Sequence, residues 1–232
     1  MSAPAPRRAV PAAAAAVVAV ALAAGAWYAF DSISAQPIRE VTFAGDLSRV
    51  SRADLDAFAR SVQGASPASA SLEAVRAAAR RIPWVREATV RRRFPDAIQV
   101  TLEAYQPLAR WGDASLVSTR GEVFDAEYDG FLPRLRGPEG SAPRVAAMYP
   151  AIARALAPLA SPVTEAIFSP RGAWQVVLGS GLTLDVGRDD VEARLARFAA
   201  AWPQLSSQGV SSRHADLRYA NGFALRTTKA RP

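Results

Sequence analysis

No charged side chain occurs between Ala9 and Phe30, and that one feature governs where the rest of the chain can fold. As a helix, Val10 to Phe30 extends roughly 30 Å at ~1.5 Å per residue, about one hydrocarbon core. Arg7, Arg8 and the terminal amine precede the stretch and Asp31 follows it. The positive-inside rule therefore puts residues 1–9 in the cytoplasm as a short tail and everything after Asp31 outside. Trp27 and Tyr28 fit the aromatic belt at the far interface. The competing reading is a cleaved signal peptide, because the stretch is largely alanine and Ile33, Ser34 and Ala35 loosely resemble a small-residue cleavage site. Composition alone does not separate the two. The length of the apolar run and the bulk of Ile33 argue against cleavage, and both readings export the remaining residues.

The residue types available restrict the chemistry. The 232 residues carry 28 Lys+Arg against 21 Asp+Glu, a net charge of +7 that suits an anionic partner or an anionic membrane face. Nearly all of the excess is arginine, since Lys229 is the only lysine. Cysteine is absent and His214 is the only histidine, which removes disulfide scaffolds, thiolate zinc sites, iron–sulfur clusters and cysteine nucleophiles. Half of the residues are hydrophobic, enough to bury a core without staples.

Periodicity divides the exported part in two. Residues 38–43 read as a strand stopped at Gly45-Asp46. Ser51 with Asp54 resembles a capping box, and Leu55, Phe58 and Val62 recur at helical spacing before Gly64 and Pro67. Ser71 opens a second helix whose face is Leu72, Val75, Ala79 and Ile82, closed by Pro83. Val85 to Val90, and Ile98, Val100 and Leu102 alternating with polar residues, predict two strands joined at Phe94-Pro95-Asp96. The result is a β-α-α-β-β module over 38–105, two helices on one face of a three-stranded sheet.

After Pro107 short strands and turns dominate. Leu116–Ser118 and Glu122–Phe124 predict a hairpin about Thr119-Arg120-Gly121. Leu132–Gly140, rich in Pro and Gly, reads as a loop. A helical face runs through Val145, Tyr149, Ile152 and Leu156, with Pro150 expected to kink or restart it. Trp174–Leu178 and Leu182–Val186 form the clearest hairpin, about Gly179-Ser180-Gly181. Val191, Leu195, Phe198 and Trp202 mark a third helix, expected to stop at Pro203. Ala215–Tyr219 and Phe223–Arg226 flank Ala220-Asn221-Gly222, and Asn-Gly is the strongest short hairpin signal in the chain.

Constellations that could carry chemistry are thin. Asp125, Glu127 and Asp129 before Gly130 start like a calcium loop, but the twelfth position is Arg136 instead of a bidentate Glu and Pro133 interrupts the loop, so no metal is expected. Arg91-Arg92-Arg93-Phe94 could bind phosphates and stack a base, yet an exported segment meets no genome. The residues then sit on a solvent face or near lipid headgroups. His214 has no serine–carboxylate constellation around it, no Gly-rich phosphate loop follows a strand and no nucleophile elbow is present. No catalytic residue and no cofactor is expected. What the chain does offer is a terminal strand, Phe223 to Arg226, at an expected sheet edge, whose free N–H and C=O groups a partner segment can complete. Tyr219, Phe223, Arg218 and Arg171 are hot-spot residue types nearby.

Together these residues resemble a known family. A basic tail, one span, Ile38-Arg39-Glu40-Val41-Thr42-Phe43-Ala44-Gly45 and Ile82 through Pro95 are similar to the polypeptide-transport-associated (POTRA) module of the FtsQ/DivIB family. Glu103-Ala104-Tyr105-Gln106-Pro107-Leu108-Ala109-Arg110-Trp111, Gly121-Glu122-Val123-Phe124, Leu182 through Arg188, Arg194 through Phe198 and Asp216 through Ala224 look like that family's second, β-rich domain. The resemblance implies an α+β chain divided as cytoplasmic tail 1–9, transmembrane helix 10–30, linker 31–37, POTRA domain 38–106, antiparallel β-rich domain with helices 107–226 and C-terminal tail 227–232. It implies an uncleaved, single-pass inner-membrane protein of the division septum, not an enzyme, that binds FtsB and FtsL by strand addition. FtsK, FtsW and FtsI are further candidates, and nucleic acid and small-molecule ligands are not expected. The residues matching the partner surface are Arg171, Arg218, Tyr219, Asn221, Gly222 and Phe223. POTRA modules also occur in outer-membrane barrel assembly factors, so the alternative is a secreted POTRA-bearing accessory of outer-membrane transport, cleaved after Ala35.

Overall fold

Alternating apolar residues and serine caps account for most of the first half. A computed structural model describes residues 10–34, 37–64, 71–94, 96–208 and 210–226, with the side chains of residues 16–28 in the first of these stretches. Pro67, Pro95, Lys229 and both terminal tails lie outside the described residues, as does the expected cleavage position at Ala35. The chain divides into two units, 1–104 and 105–232.

In the first unit, α1 (Val10–Ser34) is one continuous helix. It runs past Phe30, so residues 31–34, expected in a linker, are helical. Its described side chains are exposed, among them Val17, Val20, Leu22, Trp27 and Tyr28. Among the described residues no helix is long and apolar enough to cross a membrane, so the expected span over 10–30 is not met there. Alanine, which fills much of the segment, adds little apolar area per residue.

After α1 come β1 (Glu40–Gly45), α2 (Arg52–Val62), α3 (Leu72–Ala79), β2 (Val85–Arg93) and β3 (Ala97–Ala104). The Ser51 and Ser71 hydroxyls cap α2 and α3, accepting from Ala53 N at 3.2 Å and Ala74 N at 3.0 Å. The sheet order is β1-β3-β2. Strand β1 lies parallel to β3 in register Glu40↔Ala97, and β2 runs antiparallel to it in register Arg93↔Ala97. Two intervening helices supply the crossover that parallel neighbours need. Phe58, Val62, Val75 and Ala79 on the helices meet buried Ala88, Ile98, Val100 and Leu102 on one sheet face. At Gly45 (φ +93°) a Cβ would run into the Leu102 carbonyl, so the strand end is reserved for glycine.

The second unit is a nine-stranded sheet with helices. Its elements are β4 (Pro107–Trp111), β5 (Ser115–Ser118), β6 (Val123–Phe124), β7 (Arg134–Arg136), α4 (Ala142–Leu156), a 3-10 turn (Ala157–Leu159), β8 (Val163–Phe168), β9 (Trp174–Leu178), β10 (Thr183–Gly187), α5 (Val191–Ser207), β11 (His214–Asp216) and β12 (Ala224–Arg226). The order is β12-β11-β10-β9-β8-β7-β4-β5-β6. The sheet is mixed, not antiparallel as expected, because β4–β7, β7–β8 and β10–β11 pair in parallel. The connections through α4 and α5 return the chain in the same direction. Ala166, Val176, Leu184 and Ala215 form one cross-strand row, all fully buried, against Val145 and Ile152 of α4 and Leu195 and Phe198 of α5.

Four local expectations are corrected. Residues 134–136, expected inside a loop, form β7 in the sheet interior with Leu135 fully buried, between prolines at 133 and 138. Helix α4 passes through Pro150 without restarting, and α5 continues through Pro203 to Ser207. Both prolines are solvent-exposed, where water can serve the carbonyl that loses its intrahelical partner. The terminal hairpin is not a two-residue Asn-Gly turn. Strands β11 and β12 pair as His214↔Arg226, Ala215↔Leu225 and Asp216↔Ala224, with residues 217–223 as the loop, and neither Asn221 nor Gly222 has a positive φ.

Candidate functional site

The sheet ends at β12, which pairs with β11 on one side and is the last strand in the order. Three paired residues make a short edge strand. The Ser212 hydroxyl supports it, standing within hydrogen-bond reach of both His214 O at 2.7 Å and Arg226 O at 2.9 Å. Strand β11 is held more firmly, since Thr183 N donates to Arg213 O at 2.9 Å and Leu217 N to Asp185 O at 2.8 Å.

Alternation along β9, β10 and β11 sends Gln175, Asp185, His214 and Asp216 to the sheet face opposite the helices. Gln175 Nε2 donates to Asp185 Oδ1 at 2.7 Å, and His214 Nε2 stands 2.9 Å from Asp185 Oδ2. Arg218 forms a two-pronged pair with Asp216, from Nε to Oδ1 at 2.8 Å and Nη2 to Oδ2 at 2.6 Å, and its backbone N–H also donates to Oδ1 at 3.1 Å. The side-chain bonds from Arg218, opposed by partial burial, lower the Asp216 carboxyl to about 2 and hold the Arg218 guanidinium above its ordinary value. Asp185, His214, Asp216, Arg218, Tyr219, Ala224, Leu225 and Arg226 line a depression of about 280 Å³ beside β12.

The 217–223 loop is tied at both ends. Leu217 is buried, and Phe223 packs edge-on to Phe198 of α5 with centroids 5.0 Å apart at 75°. In between, Arg197 of α5 donates to Ala220 O at 2.7 Å. Residues 218–221 are therefore pinned and exposed at once, and Tyr219 stands 57% exposed. Arg171 is exposed in the Ser169–Gly172 turn between β8 and β9. It shares a depression of about 410 Å³ with Arg188, Asp189, Arg194 and Arg218. Gly187 (φ +88°) floors that depression, where a Cβ would press on Arg194 Nη1 at 2.7 Å and Arg218 Cγ at 3.2 Å.

The six residues expected at a partner surface are thus distributed as follows. Arg171 and Arg218 line one cationic depression, Tyr219 and Asn221 project from the pinned loop, and Gly222 is half-buried. Phe223 ends the loop one residue before β12 begins, with its ring against the core. Gln175, Asp185, Arg194 and Arg197 are not among the six expected residues, although the last three lie in strings that carry the family resemblance. The alternation through Thr183 and Asp185 and the Asp216-x-Arg218 spacing carried the only legible signal for the polar face. Asp125, weighed as a calcium ligand, accepts from the Ser115 hydroxyl at 2.7 Å, and among the described residues no three His, Cys, Asp or Glu side chains are placed to hold a metal ion. The arrangement offers a strand edge unpaired among the described residues, an exposed aromatic and arginine side chains, which is equipment for binding a polypeptide.

Comparison with known families decides the relationship. The C-terminal domain of cell division protein FtsQ/DivIB matches residues 109–218, and the FtsQ-type POTRA domain matches residues 36–105. The chain belongs to the FtsQ/DivIB family. It is 38% identical over 224 residues to cell division protein FtsQ of Burkholderia pseudomallei, covering 93% of this chain and 90% of that one. It is 41% identical over 176 residues to FtsQ of Bordetella pertussis, 66% of this chain and 64% of that one. With FtsQ of Neisseria gonorrhoeae it shares 32% over 212 residues, 90% and 88% of the two chains. The FtsQ/DivIB match ends at Arg218, so Arg171 and Arg218 fall inside it while Tyr219, Asn221, Gly222 and Phe223 follow it. A C-terminal domain of this kind does not favour a secreted accessory of outer-membrane transport.

Proposed function

We propose that this cell division protein is a non-enzymatic scaffold of the inner membrane at the septum, which takes up FtsB, with FtsL, by strand addition on β12. The observation that carries the reading is the position of β12 as the last strand of the sheet, next to a pinned loop that displays Tyr219. An incoming strand gains backbone hydrogen bonds along the edge. Tyr219 supplies an aromatic anchor, and Arg171 and Arg218 offer charge-assisted bonds to partner carboxylates. The uncharged run before Asp31, the helical form of α1 and its exposed apolar side chains support a membrane anchor with residues 1–9 in the cytoplasm. FtsK, FtsW and FtsI are further candidate partners reached through the same assembly.

The test is co-purification of full-length tagged protein from membranes in mild detergent. Wild type is expected to bring down FtsB and FtsL. Tyr219→Ala is expected to weaken their binding by about 2 kcal/mol, or roughly 30-fold, and to lose them. Recovery of a β-barrel protein instead, or undiminished recovery of FtsB by the variant, counts against the site.

A further inference from the structure

The β2–β3 tip, residues 91–94 and 96, is a basic and aromatic end of the first unit that strand addition leaves unused. Phe94 stands 62% exposed there. Arg91 and Arg93 lie on the sheet face away from the helices, opposite Gln99 and Ala97, while Arg92 lies opposite buried Ile98 on the other face. Cationic side chains therefore flank the tip on both sides. Arg93 donates to the neutral Gln99 Oε1 at 3.0 and 2.8 Å, and among the described residues it has no acidic partner. Among the described residues neither Arg91 nor Arg92 has an acidic partner. The acid at the tip, Asp96, stands 3.8 Å from a fourth arginine, Arg39. Glu40, which opens β1, is the other acid at this end.

The chain's own connectivity decides what this tip faces. Arg39 N donates to Asp96 O at 2.8 Å, so the tip abuts the start of β1. Gly64 N donates to Ile38 O at 3.0 Å, which brings the end of α2, with Arg60 in its last turn, to the same place. Helix α1 ends at Ser34, and five residue steps from there to Arg39 span at most roughly 18 Å. The chain leaves this unit at Ala104, the opposite end of β3. Whatever surface holds α1 is therefore within a short tether of Phe94 and its arginines.

We infer that the β2–β3 tip is a membrane contact, in which Arg91, Arg92 and Arg93 bind anionic phospholipid headgroups while the Phe94 ring enters the interface. The inference rests on the proposal that α1 anchors the chain in the membrane. Arginines within a Debye length of an anionic bilayer are attracted to it, and an aromatic ring prefers the headgroup level. The contact orients the first unit on its tether and fixes which end points away from the bilayer.

Because the chain contains no cysteine, Phe94→Cys in the full-length protein takes a single environment-sensitive fluorophore. The probe membranes are nanodiscs of phosphatidylcholine alone or with phosphatidylglycerol, each with headgroup-region quencher lipid. Incorporation is read by co-elution with the disc. The expected result is incorporation in both discs, with a blue shift and quench at position 94 in phosphatidylglycerol discs alone. Both are expected to be lost when Arg91, Arg92 and Arg93 are changed to Ser or when salt is raised, and to be absent for label at Ser48→Cys beyond the far end of β1. Incorporation with an unshifted, unquenched label at 94 overturns the tip contact and leaves the anchor standing. Failure to incorporate into either disc overturns the anchor and the tip contact together.

Discussion

Asp216 and Arg218 show how two residues can set a surface by a local bond. The spacing puts both side chains on one side of the strand end, and the two-pronged contact at 2.8 and 2.6 Å fixes the guanidinium at the rim of both depressions. The Asp216 carboxyl titrates near 2 in the fold, against an ordinary 3.8. A depressed carboxylate contributes stability that is fully present above its unfolded value and fades as pH falls through its folded one. The pair's contribution is thus expected to disappear between about pH 4 and about pH 2. In urea unfolding followed against pH, Asp216→Asn should lie below wild type at pH 6 and converge with it by pH 2. A constant gap across that range would contradict the assignment. Of this constellation the sequence displayed the Asp-Leu-Arg-Tyr string. It gave no sign that Asp185 would stand 2.9 Å from His214, because that contact depends on the parallel register Thr183↔His214, set by a crossover through α5.

At the scale of elements, α5 links the core to the loop that leads into β12. Phe198 is fully buried and carries the ring of Phe223, while Arg197 beside it holds the loop carbonyl of Ala220. Phe198→Ala is expected to cost about 3–5 kcal/mol in the second unit. It should also loosen residues 217–223, visible as faster amide exchange in that loop than in β9. Pro203 works in the other direction. It is exposed inside a continuous helix, so Pro203→Ala should stabilise, by up to about 3 kcal/mol if the helix relaxes fully. A lower Tm in that variant would show that the proline fits a local bend the helix needs.

Elements with strong local signals were readable, even where β2–β3 and β9–β10 carry register shifts at 85–87 and 185–187. The serine caps at 51 and 71, the paired strands of the first sheet and the 174–187 hairpin all follow from local pattern. Strands β4 and β8 escaped because they are short and the register shifts at 107–109 and 163–165 leave only a few residues in each to alternate. Strand β7 escaped because three residues between prolines cannot show a period at all. The Asn-Gly signal misled because the loop is set by Leu217 and Phe223 entering the core, a tertiary demand that outweighs turn propensity.

For the whole molecule, the family relationship gives a role in cell division, and the fold supplies a first unit with a basic tip and a second unit that ends in a short edge strand. One histidine and no cysteine leave little of the usual acid–base or nucleophilic chemistry among the residue types present. The full sheet order was not readable from the sequence, because β11 borders β10 in parallel only after the crossover through α5, whereas the β11–β12 pairing is local. Strand addition on β12 makes a demand that no side-chain contact shares, namely that the partner protect backbone amides. The most direct measurement is hydrogen exchange of the full-length protein in detergent, with and without FtsB and FtsL. Strand addition requires new protection at residues 224–226, with the amides of β6 at the other end of the same sheet unchanged. Binding that leaves 224–226 exchanging as in the free protein would contradict it.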